Sequence, residues 1–156
     1  MSAFFSGADT STPAARLLVN VSFWPSVDVD HLQASLRLGD TVSPQRIELT
    51  TINAMQSVNQ ELASFRADQE ATGHARADLV PGEVIAGEPL LIHRYRRAVY
   101  CSVGAELAER YRGSDTTSTG NGHAEALTPT ADEYRRDMRW AISDILGIGR
   151  STVELI

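Results

Sequence analysis

The side chains able to do chemistry in this chain are four histidines, one cysteine, a short run of arginines and scattered carboxylates. His31, His74, His93 and His123 fall in different segments, with no pair four residues apart and no His-Glu-x-x-His spacing to set two imidazoles on one helix face. No metal site is expected, and each histidine reads as structural or solvent-facing. Cys101 is single, which excludes a disulfide or a cysteine metal cluster within one chain. It sits in the small apolar run Ala98-Val99-Tyr100-Cys101-Ser102-Val103-Gly104, where a thiol is filler, whereas a nucleophile needs a basic, accessible pocket. Ser102-Val103-Gly104 lacks the frame of a nucleophile elbow, and Gly120-Asn121-Gly122 lacks that of a phosphate loop. Glu106 and Glu109 share a helix face, but beside Arg110 and Arg112 they read as surface ion pairs. Arg94, Arg96 and Arg97 have the right chemistry for phosphate. Followed at once by apolar residues, they read better as partners for acids on neighbouring helices or subunits. The expectation is a protein without catalytic residues, metal or cofactor: not an enzyme.

Composition bounds the elements that must carry these residues. A chain of 156 residues with 42% hydrophobic residues suffices for one domain with a core. Its formal net charge is −6 and its basic residues are all Arg, with no Lys. That balance argues against sequence-independent nucleic-acid binding, which uses a basic surface to release counterions. The opening Met1-Ser2-Ala3-Phe4-Phe5-Ser6-Gly7 has no positive n-region, and no apolar run reaches the roughly 20 residues of a membrane span. A soluble chain folding in a reducing compartment is expected, with no membrane partner.

The best-punctuated segment is Thr128 to Gly147. Thr128 or Thr130 can cap its start, acids fill its first turn, and Gly147 can supply a left-handed stop. At about 100° per residue, Tyr134, Met138, Ala141, Ile142 and Ile145 form one apolar stripe. Glu133, Asp137, Trp140 and Asp144 flank it on one side. Arg135 and Arg139, with Arg136 beyond, flank it on the other. One reading is a solvated helix with ion pairs worth roughly 0–1 kcal/mol each. The sharper reading is a head-to-tail subunit contact, the acidic flank and Trp140 of one copy meeting the basic flank of the next.

Elsewhere, residues 1–22 read as an extended arm, with Leu17 to Phe23 able to form a strand or tether before Trp24-Pro25 stops it. Asp28 or Asp30 starts a short helix through Leu38, ended by Gly39, and Ser43-Pro44 opens a long helix to about Thr72. Ile47, Thr51, Ala54, Met55, Val58, Leu62 and Phe65 form its apolar stripe. Gly73 to Gly87 is an ordered loop or small hairpin, followed by a central helix from near Pro89 to Arg112-Gly113. Residues 114–128 form a loop. Residues 148–156 alternate apolar and polar at their end, like an edge strand lacking a partner. The predicted fold is all-α: an antiparallel bundle of about four helices over residues 23–147, with the N-terminal arm and a strand-like docking tail over 148–156.

Beyond their physics, a series of residues carries a resemblance. Phe23-Trp24-Pro25 with Val27-Asp28, Leu36-Arg37-Leu38, Thr41-Val42-Ser43-Pro44, Asn59-Gln60-Glu61-Leu62, Tyr95-Arg96-Arg97-Ala98-Val99, Glu109-Arg110-Tyr111-Arg112-Gly113 and Tyr134-Arg135-Arg136-Asp137-Met138-Arg139-Trp140-Ala141-Ile142 resemble the head completion protein (gpL) family of peduovirus-type tailed phages. The resemblance runs from about Phe23 to Ile156. It implies an adaptor in the virion neck, made in the host cytoplasm, that joins the portal vertex after DNA packaging. Such a protein helps retain the genome and contributes to the tail-docking surface. The implied partners are a homo-oligomeric ring expected to be about twelve-fold, a dodecamer, the portal protein, and downstream neck or tail-terminator proteins. Packaged DNA would pass through the lumen without specific binding. In that setting Ser151, Thr152, Val153, Glu154, Leu155 and Ile156 are the candidate docking strand, added to the portal or a neighbour. The alternative is a helical interaction or regulatory module that binds a protein through the Trp140 face and has no portal partner.

Overall fold

The computed structural model describes residues 16–38, 42–111 and 129–149. β1 (Leu17–Leu18) pairs antiparallel with β2 (Val27–Asp28). Asp28 then caps α1 (Val29–Ser35), its carboxylate accepting from the amides of Asp30 and His31 at 2.9 and 3.0 Å. α2 (Pro44–Glu61) starts on Ser43 as N-cap with Pro44 in the first turn, where its missing N–H costs nothing. α3 (Ala63–Ala71) and a 3-10 turn (Ala77–Leu79) lead to the hairpin of β3 (Val84–Ile85) and β4 (Glu88–Pro89). α4 (Leu90–Tyr111) follows directly, and α5 (Ala131–Leu146) completes the described chain.

α4 is the central layer, because its apolar residues lie on several faces and it packs on both α2 and α5. Tyr95, Ala98, Val99, Val103 and Leu107 are buried between Ile47, Ala54 and Val58 of α2 and Ala141, Ile142 and Ile145 of α5. α4 and α5 approach closely at Gly104, where a Cβ would stand 2.8–2.9 Å from ring carbons of Tyr134. Only a residue without a side chain lets the two helices meet there. At the other end, Trp24 stacks between Tyr95, at 4.5 Å and 9°, and Phe65, at 6.2 Å and 19°, with Phe23 edge-on at 4.8 Å.

The fold corrects the expectation of an all-α bundle. It is mostly helical, but it also holds two small antiparallel sheets, β1–β2 and β3–β4, and its described residues form five α-helices rather than about four. β1 falls at the start of the Leu17 to Phe23 stretch read as a strand or tether, and β3 lies in the 73–87 stretch read as a loop or small hairpin. The long helix expected to reach Thr72 breaks at Leu62, whose ψ opens to 10°. The bend keeps Leu62 buried and lets Phe65 reach Trp24. α1 ends at Ser35, before Leu38, and Arg37 takes the left-handed turn with φ 54°. Gly39, expected to do so, lies outside the described residues, as do residues 1–15, the 114–128 loop and the docking residues 151–156.

Candidate assembly interface

α5 is punctuated at both ends. Thr130 Oγ1 accepts from the Glu133 amide at 3.3 Å, and Glu133 Oε2 accepts from the Thr130 amide at 2.8 Å: a capping box. Those bonds hold the Glu133 carboxyl below the usual carboxylate range. Gly147 ends the helix with φ 67°. The buried stripe is Ala141, Ile142 and Ile145, with Tyr134 and Met138 half-buried beside it.

Several of the flanking charges find partners inside the chain. Arg135 pairs with Glu109 across the α4–α5 contact and with Asp132 at 3.1 Å. Asp137 receives Arg97 of α4 at 3.5 Å and Arg136 at 3.2 Å. The Arg136 guanidinium also lies 4.8 Å from the centroid of the half-buried Trp140 ring. Arg139 is exposed and has no ion pair among the described residues, and Asp144 is half-buried. Thus Glu133, Arg135 and Asp137 serve α5 and its seat on α4. Trp140, Arg136 and Arg139 remain on its outer side.

A second surface surrounds the start of α4. Arg96 grips Glu88 with two nitrogens, both at 2.8 Å, and lowers its carboxyl pKa. His93 Nε2 lies 2.9 Å from the Ile85 carbonyl and Nδ1 lies 3.5 Å from Glu88. The hairpin is thereby clasped to α4, with Val84 and Ile85 exposed at its tip and no basic residue from 81 to 87. A cleft of about 410 Å3 opens between this clasp, the Ser22–Pro25 turn and the 3-10 turn. Its carboxylates are already committed, Asp78 to Arg76 and Glu88 to Arg96.

Sequence reasoning missed a part-buried polar cluster beside this surface, with Tyr95 buried and Asn20 and Asn59 half-buried. Asn20 Nδ2 donates to Tyr95 Oη at 2.6 Å, Tyr95 Oη donates to Asn59 Oδ1 at 2.7 Å, and Asn59 Nδ2 donates back to Asn20 Oδ1 at 2.8 Å. This closed ring ties the segment after β1 to α2 and α4. Cys101 is half-buried, and burial, followed by the Asp137 charge, pushes its thiol pKa up. No group of three or more His, Cys, Asp or Glu among the described residues is placed to hold a metal ion. No helix there is long and apolar enough to cross a membrane.

Comparison with known proteins places this fold. No solved structure matches the chain. It is 36% identical over 140 residues to the head completion/stabilization protein of Escherichia phage P2, a match that covers 90% of this chain and 83% of that protein. The model of the phage head completion protein (GPL) family matches residues 18–156. With β2, the Trp24 stack, the hairpin, α4 and α5 all inside that match, the chain belongs to the phage head completion protein family.

Proposed function

We propose that the chain completes and stabilises the DNA-filled head of a tailed phage as a connector without catalytic activity. The family match, running from Leu18 through α5 and beyond, carries this reading. In finer detail, copies join head to tail into a ring of about twelve on the portal vertex, help retain the genome and offer part of the tail-docking surface. Portal subunits and downstream neck or tail-terminator proteins are the partners. The net charge of −6 and the absence of Lys support a lumen through which DNA slides without sticking. The exposed residues 81–87, which lead into the β3–β4 hairpin and its turn and carry no basic side chain, have the chemistry of a lumen-facing loop.

The subunit contact assigned to α5 centres on Trp140 with Arg136 and Arg139, while Asp144 extends the acidic flank. Replacing Trp140 with Ala should leave the helical circular dichroism intact and weaken incorporation into heads. Loss of such an anchor costs about 2 kcal/mol or more, roughly thirtyfold in affinity. Quantifying the chain in purified particles, together with DNA retention, checks this. Unchanged incorporation by Trp140→Ala would remove Trp140 from the contact.

A further inference from the structure

Past β1 the chain runs on through Val19 to Val21, and among the described residues no strand pairs with the outer edge of β1. The Arg16 carbonyl accepts from the Val29 amide at 2.9 Å, and the register pairs Leu17 with Asp28 and Leu18 with Val27. Hydrogen-bonded and non-hydrogen-bonded pairs alternate in an antiparallel ladder. Arg16–Val29 and Leu18–Val27 are therefore the bonded pairs, which turns the N–H and C=O of Leu17, and by the same alternation those of Val19, to the outer edge. Side chains alternate as well. Leu18 packs against the core and Asn20 enters the part-buried ring with Tyr95 and Asn59, whereas Leu17, Val19 and Val21 are 58%, 84% and 43% exposed. Because Asn20 pins the register, this is a fixed edge rather than a loose tether. Soluble proteins shield such an edge with charge, proline or a covering strand. None of those side-chain devices is present from Leu17 to Val21.

The chain supplies a matching strand. Ser151 to Ile156 places apolar Val153 and Leu155 two residues apart, with polar Thr152 and Glu154 between and before them. Starting after Gly149, its residues can extend about 20 Å at roughly 3.3 Å each, enough to lie along a five-residue edge. An edge that paired with itself would close a two-fold dimer. An edge that takes a different segment of the next copy repeats, and closes as a ring.

We propose that residues 17–21 of one copy receive residues 151–156 of the next copy as an added β-strand, with Val153 and Leu155 beside Leu17, Val19 and Val21. This rests on the ring reading above and gives that ring a donor and an acceptor. The test uses full-length chain with Cys101→Ser, carrying Val19→Cys together with Val153→Cys, or with Leu155→Cys to allow for register. Heads completed with each variant are oxidised and run on a non-reducing gel. Loss of most of the monomer band to a ladder of dimers, trimers and larger species, with no dimers from Val19→Cys alone or from the tail cysteine alone, is the expected result, because only edge-to-tail disulfides then link successive chains. Dimers from Val19→Cys alone would mean that the edge pairs with itself, and a fast-running monomer that the tail folds back on its own chain. Either result overturns the proposal. Heads that contain the chain but show no cross-link would also overturn it while leaving the head-completion reading standing. A folded chain absent from heads would overturn both.

Discussion

Tyr95 joins three parts of the chain that are remote in sequence. Its Oη accepts from Asn20, its hydrogen goes to Asn59, and its ring carries Trp24. A buried polar ring is stabilising only when every member is satisfied. Tyr95→Phe would leave Asn59 Oδ1 without its donor, at a cost of about 1–3 kcal/mol. The urea midpoint should fall with an unchanged slope, and an unchanged midpoint would mean that the ring contributes nothing net. Burial also pushes the Tyr95 phenol up to about 12. In the unfolded chain that phenol ionises near pH 10, so between about pH 10 and 12 the unfolded state holds fewer protons. The stability from keeping it neutral is thus full below about pH 10 and is lost as pH rises through about 12. Unfolding curves across that range should show a smaller alkaline loss in Tyr95→Phe than in the unaltered chain. Asn20 and Asn59 were illegible from sequence because nothing local marks a polar side chain for burial. The partner that satisfies Asn20 is 75 residues away.

Helix ends were the most legible elements, since caps are local chemistry. Thr130, Glu133 and Gly147 take the positions their types demand around α5. Gly104 shows the other kind of information, in which a helix interior is written by its neighbour. Ala is favoured over Gly by about 1 kcal/mol in a helix. Here the added carbon would meet the Tyr134 ring at 2.8–2.9 Å, and overpacking of that kind costs roughly 1–3 kcal/mol. Gly104→Ala should therefore lower the thermal midpoint, and Tyr134→Ala in the same chain should relieve the loss. A raised midpoint in the single variant would mean that the α4–α5 spacing yields easily. The strand option at Leu17 and the hairpin option over residues 73–87 were legible, but the bend at Leu62 was not, because a tertiary contact, Phe65 against Trp24, sets it.

For the whole molecule, the division of α5 into acidic and basic flanks was visible in the sequence, but not how its charges would be used. Arg135 and Asp137 turn out to bind α4, so internal packing consumes part of what resembled a subunit contact. The proposed ring would use two different surfaces of the molecule, the α5 face that carries Trp140 and the edge at residues 17–21, as a head-to-tail contact needs. Under the proposed connector reading, the net charge of −6 and the absence of Lys would act at this scale too, by leaving DNA free to slide rather than binding it. Native mass of the purified chain, alone and mixed with the cognate portal ring, tests the connector assignment most directly. The expected result is stoichiometric addition to the portal, one copy per portal subunit; a folded chain that stays at its own mass in the presence of the portal would contradict it.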